Sequence, residues 1–490
     1  MSKIRKFIRL SGLSTAISIV PFNHTLVNLT RAVVERVFFV KTKDGSFARP
    51  PKPVDFSGVM AKTLRRLKGV LPKTAPWTYE QFIDSCKGRK KVIYQSAYDS
   101  TRLGGPVVAK DAEVSVFIKY EKTDITSKAD PVPRVISPRS PRFNMRIGRY
   151  LKKLEPKMFK SLGKLFRTPT VIKGYNAYKS ATILKNKWDM FSNPVAVGLD
   201  ASRFDQHVSL DALKWEHSVY LECFPRQSDK RKLSWMLKQQ LVNKCKGYCP
   251  DGRIMYTVEG TRMSGDMNTS LGNCVLMCSM IRAYADHVKV DLELANNGDD
   301  CVVFMNSKDL ERFSRGLDEW FTNMGFTMKV EPPVYDFGKI EFCQTRPVFD
   351  GCRWLMVRNP SACLTKDTVF LQPFQSKRQI TSWMGAVGLG GLRMTGCLPV
   401  LQNFYSLLCR YGKPGKEPAN FLSWYTSKLL TSMDRDFGPV SPEARASYYT
   451  SFGVTPDEQL ELEAFYDQVR LGLDVVEGDL DSFETYDLPL

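Results

Sequence analysis

At 490 residues, with 43% apolar and 25% charged residues, the chain is long enough for more than one core and too apolar for wholesale disorder. Lysine and arginine outnumber acids 71 to 51, and Pro456 to Leu490 holds 11 acids against one base, so the remainder carries about +30. That body suits a polyanion, nucleic acid before acidic lipid, with a merely basic soluble protein as the bland alternative.

The first apolar stretch, "LSTAISIVPF", stops at Pro21 and is too short to cross a bilayer. With "MSKIRKFIRL" before it, a weak signal peptide or a surface-lying segment is the alternative to packing. "NLTRAVVERVFFV" predicts a packed helix and "FARPPKPVDF" an extended connector. From Lys87 to Arg167, Lys and Arg alternate with Tyr and Phe, a composition that neutralises phosphates and stacks on bases.

The middle alternates short strands with amphipathic helices: strand "VAVGL", helix "LDALKWEHSVYLECF", strand "IMYTVEG" and apolar helix "NTSLGNCVLMCSMIRAYA". A hairpin "VDLELANNGDDCVVFM", a helix, and strands "FTMKVEP" and "KIEFCQTRPV" follow, giving an α+β class with an antiparallel centre. Helices dominate beyond Phe349, with a break expected at the glycine-rich run Gly385 to Gly396. The acidic tail is expected to hang in solvent rather than fold back over a basic channel. Twelve cysteines and four histidines lack zinc spacing, which favours reduced core thiols over a structural zinc, and no P-loop is present.

Three local features carry chemistry. Asn297-Gly298 predicts a two-residue hairpin turn, after which Asp299 and Asp300 point to opposite faces of the returning strand. Taken alone, these acids suit a solvated tip at least as well as a metal site. In "VGLDASRFDQHV", Asp200 ends a strand and Asp205 follows; helix capping competes with metal binding for Asp200. In "GTRMSGDMNTSLGNC", Thr269 and Asn273 share a helix face behind the Ser264-Gly265 loop, suited either to packing or to reading a sugar hydroxyl.

In that order and spacing, the three features resemble motifs A, B and C of the RNA-directed RNA polymerases of positive-strand RNA viruses. "FIKYEKTDITSKADPVPRVISPR" is similar to the basic fingertip motif, "GFTMKVE" to motif D and "IEFCQTRPV" to motif E. "GLDASRFDQHVS" and "GTRMSGDMNTSLGN" look most like the plant tombusvirus and carmovirus group, umbravirus-like relatives included.

The resemblance implies a closed right hand of fingers, palm and thumb, with an antiparallel palm sheet flanked by helices. Its divisions would be an N-terminal helical extension (1–40), fingers and fingertips (41–195), palm with motif A (196–213) and a fingers insertion (214–255). Palm with motifs B to E (256–345), thumb (346–455) and acidic tail (456–490) would follow. The implied activity is template-directed RNA synthesis by two-metal nucleotidyl transfer, with primer-independent initiation.

Asp200 and Asp299 would hold two Mg²⁺ or Mn²⁺ ions, with Asp300 assisting, and Lys329 would protonate pyrophosphate. Asp205 and Asn273 would read the ribose 2′-hydroxyl, with Ser264 and Thr269 close by. Lys122, Arg134 and Arg139 would clamp the triphosphate, helped by Lys119 and Lys128. The implied partners are RNA template and product, ribonucleoside triphosphates, a membrane-anchoring viral replication protein and host factors. The implied place is the host-cell cytoplasm, at membrane-associated replication complexes reached through a partner. A reverse transcriptase or other templated polymerase shares the carboxylates, and a nonenzymatic RNA-binding replication protein could share the basic segment.

Overall fold

Residues 4–13, 19–42, 44–126, 130–371, 376–413, 438–477 and 483–487 are described by the computed structural model, which mixes helices with small, mainly antiparallel sheets. In chain order, the first elements that matter are strand β1 (Lys6–Ser11), helix α1 (Leu26–Val33), strands β2 (Val114–Ile118) and β3 (Val135–Ile136), helix α2 (Ala177–Trp188) and strand β4 (Pro194–Ala201). Helix α3 (Leu210–Glu222), hairpin β5 (Val242–Cys249) and β6 (Gly252–Glu259), and helix α4 (Thr269–Val288) come next. A second hairpin, β7 (Glu293–Asn297) and β8 (Asp300–Asn306), precedes strand β9 (Met328–Val330) and a third hairpin, β10 (Thr345–Phe349) and β11 (Trp354–Arg358). The last elements are strand β12 (Val369–Phe370), helices α5 (Lys377–Thr395), α6 (Leu401–Tyr411), α7 (Pro442–Phe452) and α8 (Pro456–Gln468), and strands β13 (Gly472–Glu477) and β14 (Phe483–Asp487).

The sheet that carries the site has the order β7-β8-β4-β9, all antiparallel. Both of its faces are covered. Val195, Val197 and Leu199 of β4 join one core with residues of α4, while Ala196, Val302 and Phe304 join a second with Ala181 and Leu184 of α2. A sheet packed on both sides needs apolar residues on both, which is why β4 and β8 read as near-continuous apolar runs. Helix α4 is apolar nearly all round for the same reason: Leu271, Val275, Met277 and Ile281 are all buried. Each such side chain contributes about 1.5–3 kcal/mol relative to exposure, which fixes the helix against the sheet.

Three sequence expectations are corrected here. The N-terminal region is not simply helical, because β1 lies inside a sheet of order β12-β1-β13-β14. The glycine-rich run is not a break: Gly385 to Thr395 lie within α5. Side chains are missing there because α6 comes too close; a Cβ on Gly391 would stand 2.1 Å from the Tyr405 ring, and one on Gly388 would stand 2.7 Å from Cys409 Sγ.

The third concerns the tail. Residues 456–477 do not hang in solvent but form α8 and β13, packed on the body. Glu463 accepts two bonds of 2.9 Å from the Arg445 guanidinium, and its Oε1 also accepts the Val400 N–H at 3.0 Å. Asp474 is buried and paired with Arg9 of β1. Among the described residues, no helix is long and apolar enough to cross a membrane.

Burial also leaves a titration signature in α3. His217 is buried, and that burial pulls its imidazole down to about 4, only partly offset by neighbouring Glu216. An unfolded histidine takes its proton near 6.5, so this contribution is complete above that pH and is lost as pH falls towards 4. The gap in unfolding free energy between the protein and its His217→Gln variant should move against the protein by up to about 3 kcal/mol over that window. Denaturant melts at pH 7 and pH 4.5 measure it, and a gap that stays constant would refute it.

Candidate active site

The β7–β8 turn differs from expectation by one residue. Asn297 pairs with Asp300, so the two loop residues are Gly298 and Asp299. Gly298 carries the positive φ of +89°, as expected for a turn with glycine at its first central position. Asn296, wholly buried, grips this turn from inside: its Oδ1 accepts the Gly298 N–H at 3.1 Å and its Nδ2 donates to the Gly298 carbonyl at 2.7 Å. Asp299 is therefore presented at the tip, exposed, rather than as the first strand residue.

Beside the tip, the register sets Asp300 directly opposite Asp200, and Asp200 directly opposite Lys329 on its other side. Directly opposed residues in an antiparallel sheet share a face. Asp200, Asp300 and Lys329 thus form a row across three strands, with Asp200 and Lys329 exposed.

Asp300 is more enclosed, and its Oδ2 accepts the Cys343 N–H at 2.8 Å. Burial lifts its carboxyl to about 6, the Cys343 bond works against that rise, and Asp299 and Asp200 add to it. Cys343 and Gln344 both have positive φ, so the chain bends sharply just before β10 to aim that N–H. Glu331 packs over Gly198 of β4, where a Cβ would stand 2.2 Å from its Oε2, and burial raises its carboxyl with Asp200 contributing.

Asp205 and Asn273 are hydrogen-bonded to each other. Asn273 Nδ2 donates to Asp205 Oδ1 at 3.0 Å, and burial holds the Asp205 carboxyl above its ordinary range despite that bond and the charge of Arg262. Sequence reading missed what holds the pair. Arg262 Nε donates to Asn273 Oδ1 at 3.1 Å, which fixes the amide so that its NH₂ faces Asp205. Arg262 is itself seated on Glu216 of α3, which also accepts from Asn268 at 3.0 Å and Tyr220 at 2.6 Å. A Cβ on Gly272 would stand 2.4 Å from both Arg262 Nη2 and Glu216 Oε1, so glycine is required where α4 passes this ion pair. A signal was available, because Glu216 stands on the same helix face as buried Ala212, Val219 and Tyr220.

Ser264 and Thr269 do not join the pair. The Ser264 hydroxyl accepts from Ser137 N–H at 3.1 Å and donates to the Val135 carbonyl at 3.2 Å, tying the loop to β3. Thr269 Oγ1 donates to the Met263 and Asp266 carbonyls at 2.9 and 3.0 Å. Both hydroxyls are spent on holding the loop.

The basic residues divide. Arg134 is 58% exposed at its side chain, shares Glu121 with Lys119, and its charge is felt at Asp205. Arg139 is only 1% exposed at its side chain and spends its guanidinium on Asp266, Asn243 and the carbonyls of Ala112 and Gln239. It cannot clamp a triphosphate. Lys122 donates to the Lys366 carbonyl, and burial there lowers its ammonium to about 8, so it too is turned away from the carboxylates. Lys128 lies outside the described residues.

With this geometry in view, similarity decides the family: a model described as viral RNA dependent RNA polymerase matches residues 1–474. The chain belongs to that family. It is 50% identical over 489 residues to the RNA-directed RNA polymerase of oat chlorotic stunt virus, covering 96% of this chain and 65% of the relative. It is 44% identical over 484 residues to the polymerase of tobacco necrosis virus strain A (97% of this chain, 65% of the relative). Against the polymerase of turnip crinkle virus the identity is 40% over 477 residues, with coverage of 96% and 60%. The chain thus spans less than two thirds of the length of these viral polymerases. Among its described residues, no three carboxylate, imidazole or thiol groups converge closely enough to hold an ion by themselves.

Proposed function

We propose that this chain performs template-directed synthesis of RNA from an RNA template, the activity for which its relatives are named. One observation carries the reading: the Asp300–Asp200–Lys329 row, with Asp299 at the adjoining tip, lies beside a half-buried Asp205–Asn273 pair on the neighbouring elements. In this reading the sheet β7-β8-β4-β9 is the palm, the basic region before it supplies the fingers, and the helices after β11 supply the thumb.

The carboxylates fit divalent cations. Asp200 and Asp299 are exposed, and the carboxyl of Asp300 is raised chiefly by burial, with the charges of Asp299 and Asp200 adding to the rise. Magnesium is commonly held by one or two carboxylates together with substrate phosphates, so the lack of a closed protein cage agrees with this chemistry. Bound by Asp200 and Asp299, Mg²⁺ or Mn²⁺ would lower the pKa of the attacking 3′-hydroxyl and neutralise charge on the triphosphate.

The chain's own groups supply the rest. Lys329, in the carboxylate row, would hold the proton that the departing pyrophosphate needs. Arg134, with Lys119 beside it, would face the triphosphate oxygens. Asp205 and Asn273 would accept from and donate to the ribose 2′-hydroxyl. Asp300, tied to Cys343, would set the shape of the site rather than lead in binding.

The deciding experiment measures incorporation of ribo- and deoxyribonucleotides on RNA and on DNA templates. Ribonucleotide addition on RNA alone supports the reading; preference for deoxyribonucleotides, or no addition of either, overturns it. In the same assay, Asn273→Ala should lower the preference for ribo- over deoxyribonucleotides by about 10- to 100-fold, the loss expected for a hydrogen bond to a charged or buried group. An unchanged ratio would remove Asn273 from sugar reading.

A further inference from the structure

In the sheet that holds β2, β5 and β6, one face is left exposed by the described residues. Its inner face is packed: Val114, Val116, Ile118 and Cys245 form a core with Leu29, Ala32 and Val33 of α1. On the outer face the register sets Arg253 opposite Tyr248, Met255 opposite Lys246 and Thr257 opposite Lys244, while Ser115 of β2 stands level with Lys246. Phe117 and Tyr248 each follow two residues after that Ser115–Lys246 partnership, so both rings emerge on the same side.

Tyr248 is 63% exposed, Met255 58% and Phe117 39%. Single exposed apolar residues are ordinary, but here they stand in adjoining rows with cations between them. Lys246 pairs with Glu113 at 2.7 Å, whereas Lys244 and Arg253 make no ion pair among the described residues. The face runs on towards the candidate active site through Lys119, whose N–H donates to the Arg134 carbonyl at 2.8 Å.

We infer that this face is a separate binding surface for single-stranded RNA, taking about two or three nucleotides with bases stacked on Tyr248 and Phe117 and phosphates on Arg253 and Lys244. Two observations select this occupant. Open aromatic faces interleaved with unpaired cations suit an unpaired strand, whose bases are free to stack, and a duplex hides those bases. The face is also continuous with Arg134, so a strand lying on it leads to the carboxylates. Only the role of that RNA as template rests on the polymerase reading; the binding itself does not.

The test measures fluorescence anisotropy of a labelled single-stranded oligoadenosine and of an RNA hairpin duplex of equal length, both titrated with the full chain. Tyr248→Ala and Arg253→Ala should each weaken single-strand binding by about 10-fold, Tyr248→Trp should retain it, and Tyr248→Ala should leave duplex binding within about twofold. Single-strand affinity unchanged in Tyr248→Ala, or an equal loss for the duplex, would overturn the inference. Tyr248 and Arg253 are exposed, so thermal melting should match the parent, and a folding defect in the double variant Phe117→Ala/Tyr248→Ala would leave the single variants decisive. Repeating the titration in an Asp299→Ala background separates the two readings. Loss of single-strand binding when Tyr248→Ala is added to that background supports the surface even if the parent chain adds no nucleotide, and only the latter result overturns the polymerase assignment.

Discussion

An Asp299→Ala chain should add nucleotides at least about 1,000-fold more slowly than the parent, a loss of roughly 4 kcal/mol in the barrier, while holding template RNA within about twofold. The size follows from the position. Asp299 stands exposed at the tip of a turn whose backbone is fixed by Gly298 and Asn296, so alanine removes a charged ligand without disturbing the hairpin. Exposed substitutions of this kind change stability by about 0.5 kcal/mol or less, which makes the kinetic loss attributable to chemistry. Single-nucleotide addition and filter binding measure the two quantities. Activity within tenfold of the parent would remove Asp299 from the chemistry. Asp300→Ala is a poorer probe, because it also strips the Cys343 N–H of its acceptor.

The second large effect lies behind the Asp205–Asn273 pair. Arg262→Ala should destabilise the chain by about 3–5 kcal/mol, because Glu216 stays wholly buried with its main counter-charge gone. The same change frees the Asn273 amide to turn, so the preference for ribonucleotides should fall together with the melting temperature. A double replacement separates these consequences. Glu216→Met with Arg262→Met removes both charges, and should recover most of the stability without restoring sugar selection. If the double variant selects ribonucleotides as the parent does, Arg262 is a packing element and not a positioning residue.

Much of the central sheet was legible in the sequence. β4 and the β7–β8 hairpin follow from apolar runs bounded by turn residues, and their pairing follows once Asp200 and Asp299 are taken as neighbours. The turn was misplaced by one residue because "NNGDD" supports two hairpins of equal loop length. The side chain of Asn296 grips Gly298 two residues on and so favours the loop of Gly298 and Asp299, and the complete burial that holds this side chain in place is the tertiary fact.

The arginines show a similar limit. Arg134 and Arg139 lie five positions apart in one basic segment, yet one reaches solvent near Asp205 and the other is enclosed by Asp266 and Asn243. Composition counts both as charge available to RNA. Glycines in α5 suggested a break because local propensity says nothing of a neighbouring helix that needs the space. The acidic tail misled in the same way: its charge density suggested a solvated segment, but Glu463 and Asp474 are held by Arg445 and Arg9.

The pairing of β1 with β13 bears on how the molecule is made. Arg9 and its partner Asp474 lie 465 positions apart in the chain. Closing so long a loop costs little more than closing one half its length, since the entropy grows only with the logarithm. The delay is a matter of time rather than energy: β1 must stay unpaired along one edge until β13 has been synthesised. At 5–20 residues per second, roughly the pace of synthesis, that wait lasts about half a minute or more. An edge strand left open so long invites pairing with another nascent chain, and the charges on Lys6 and Arg9 are the means within the strand itself for discouraging it.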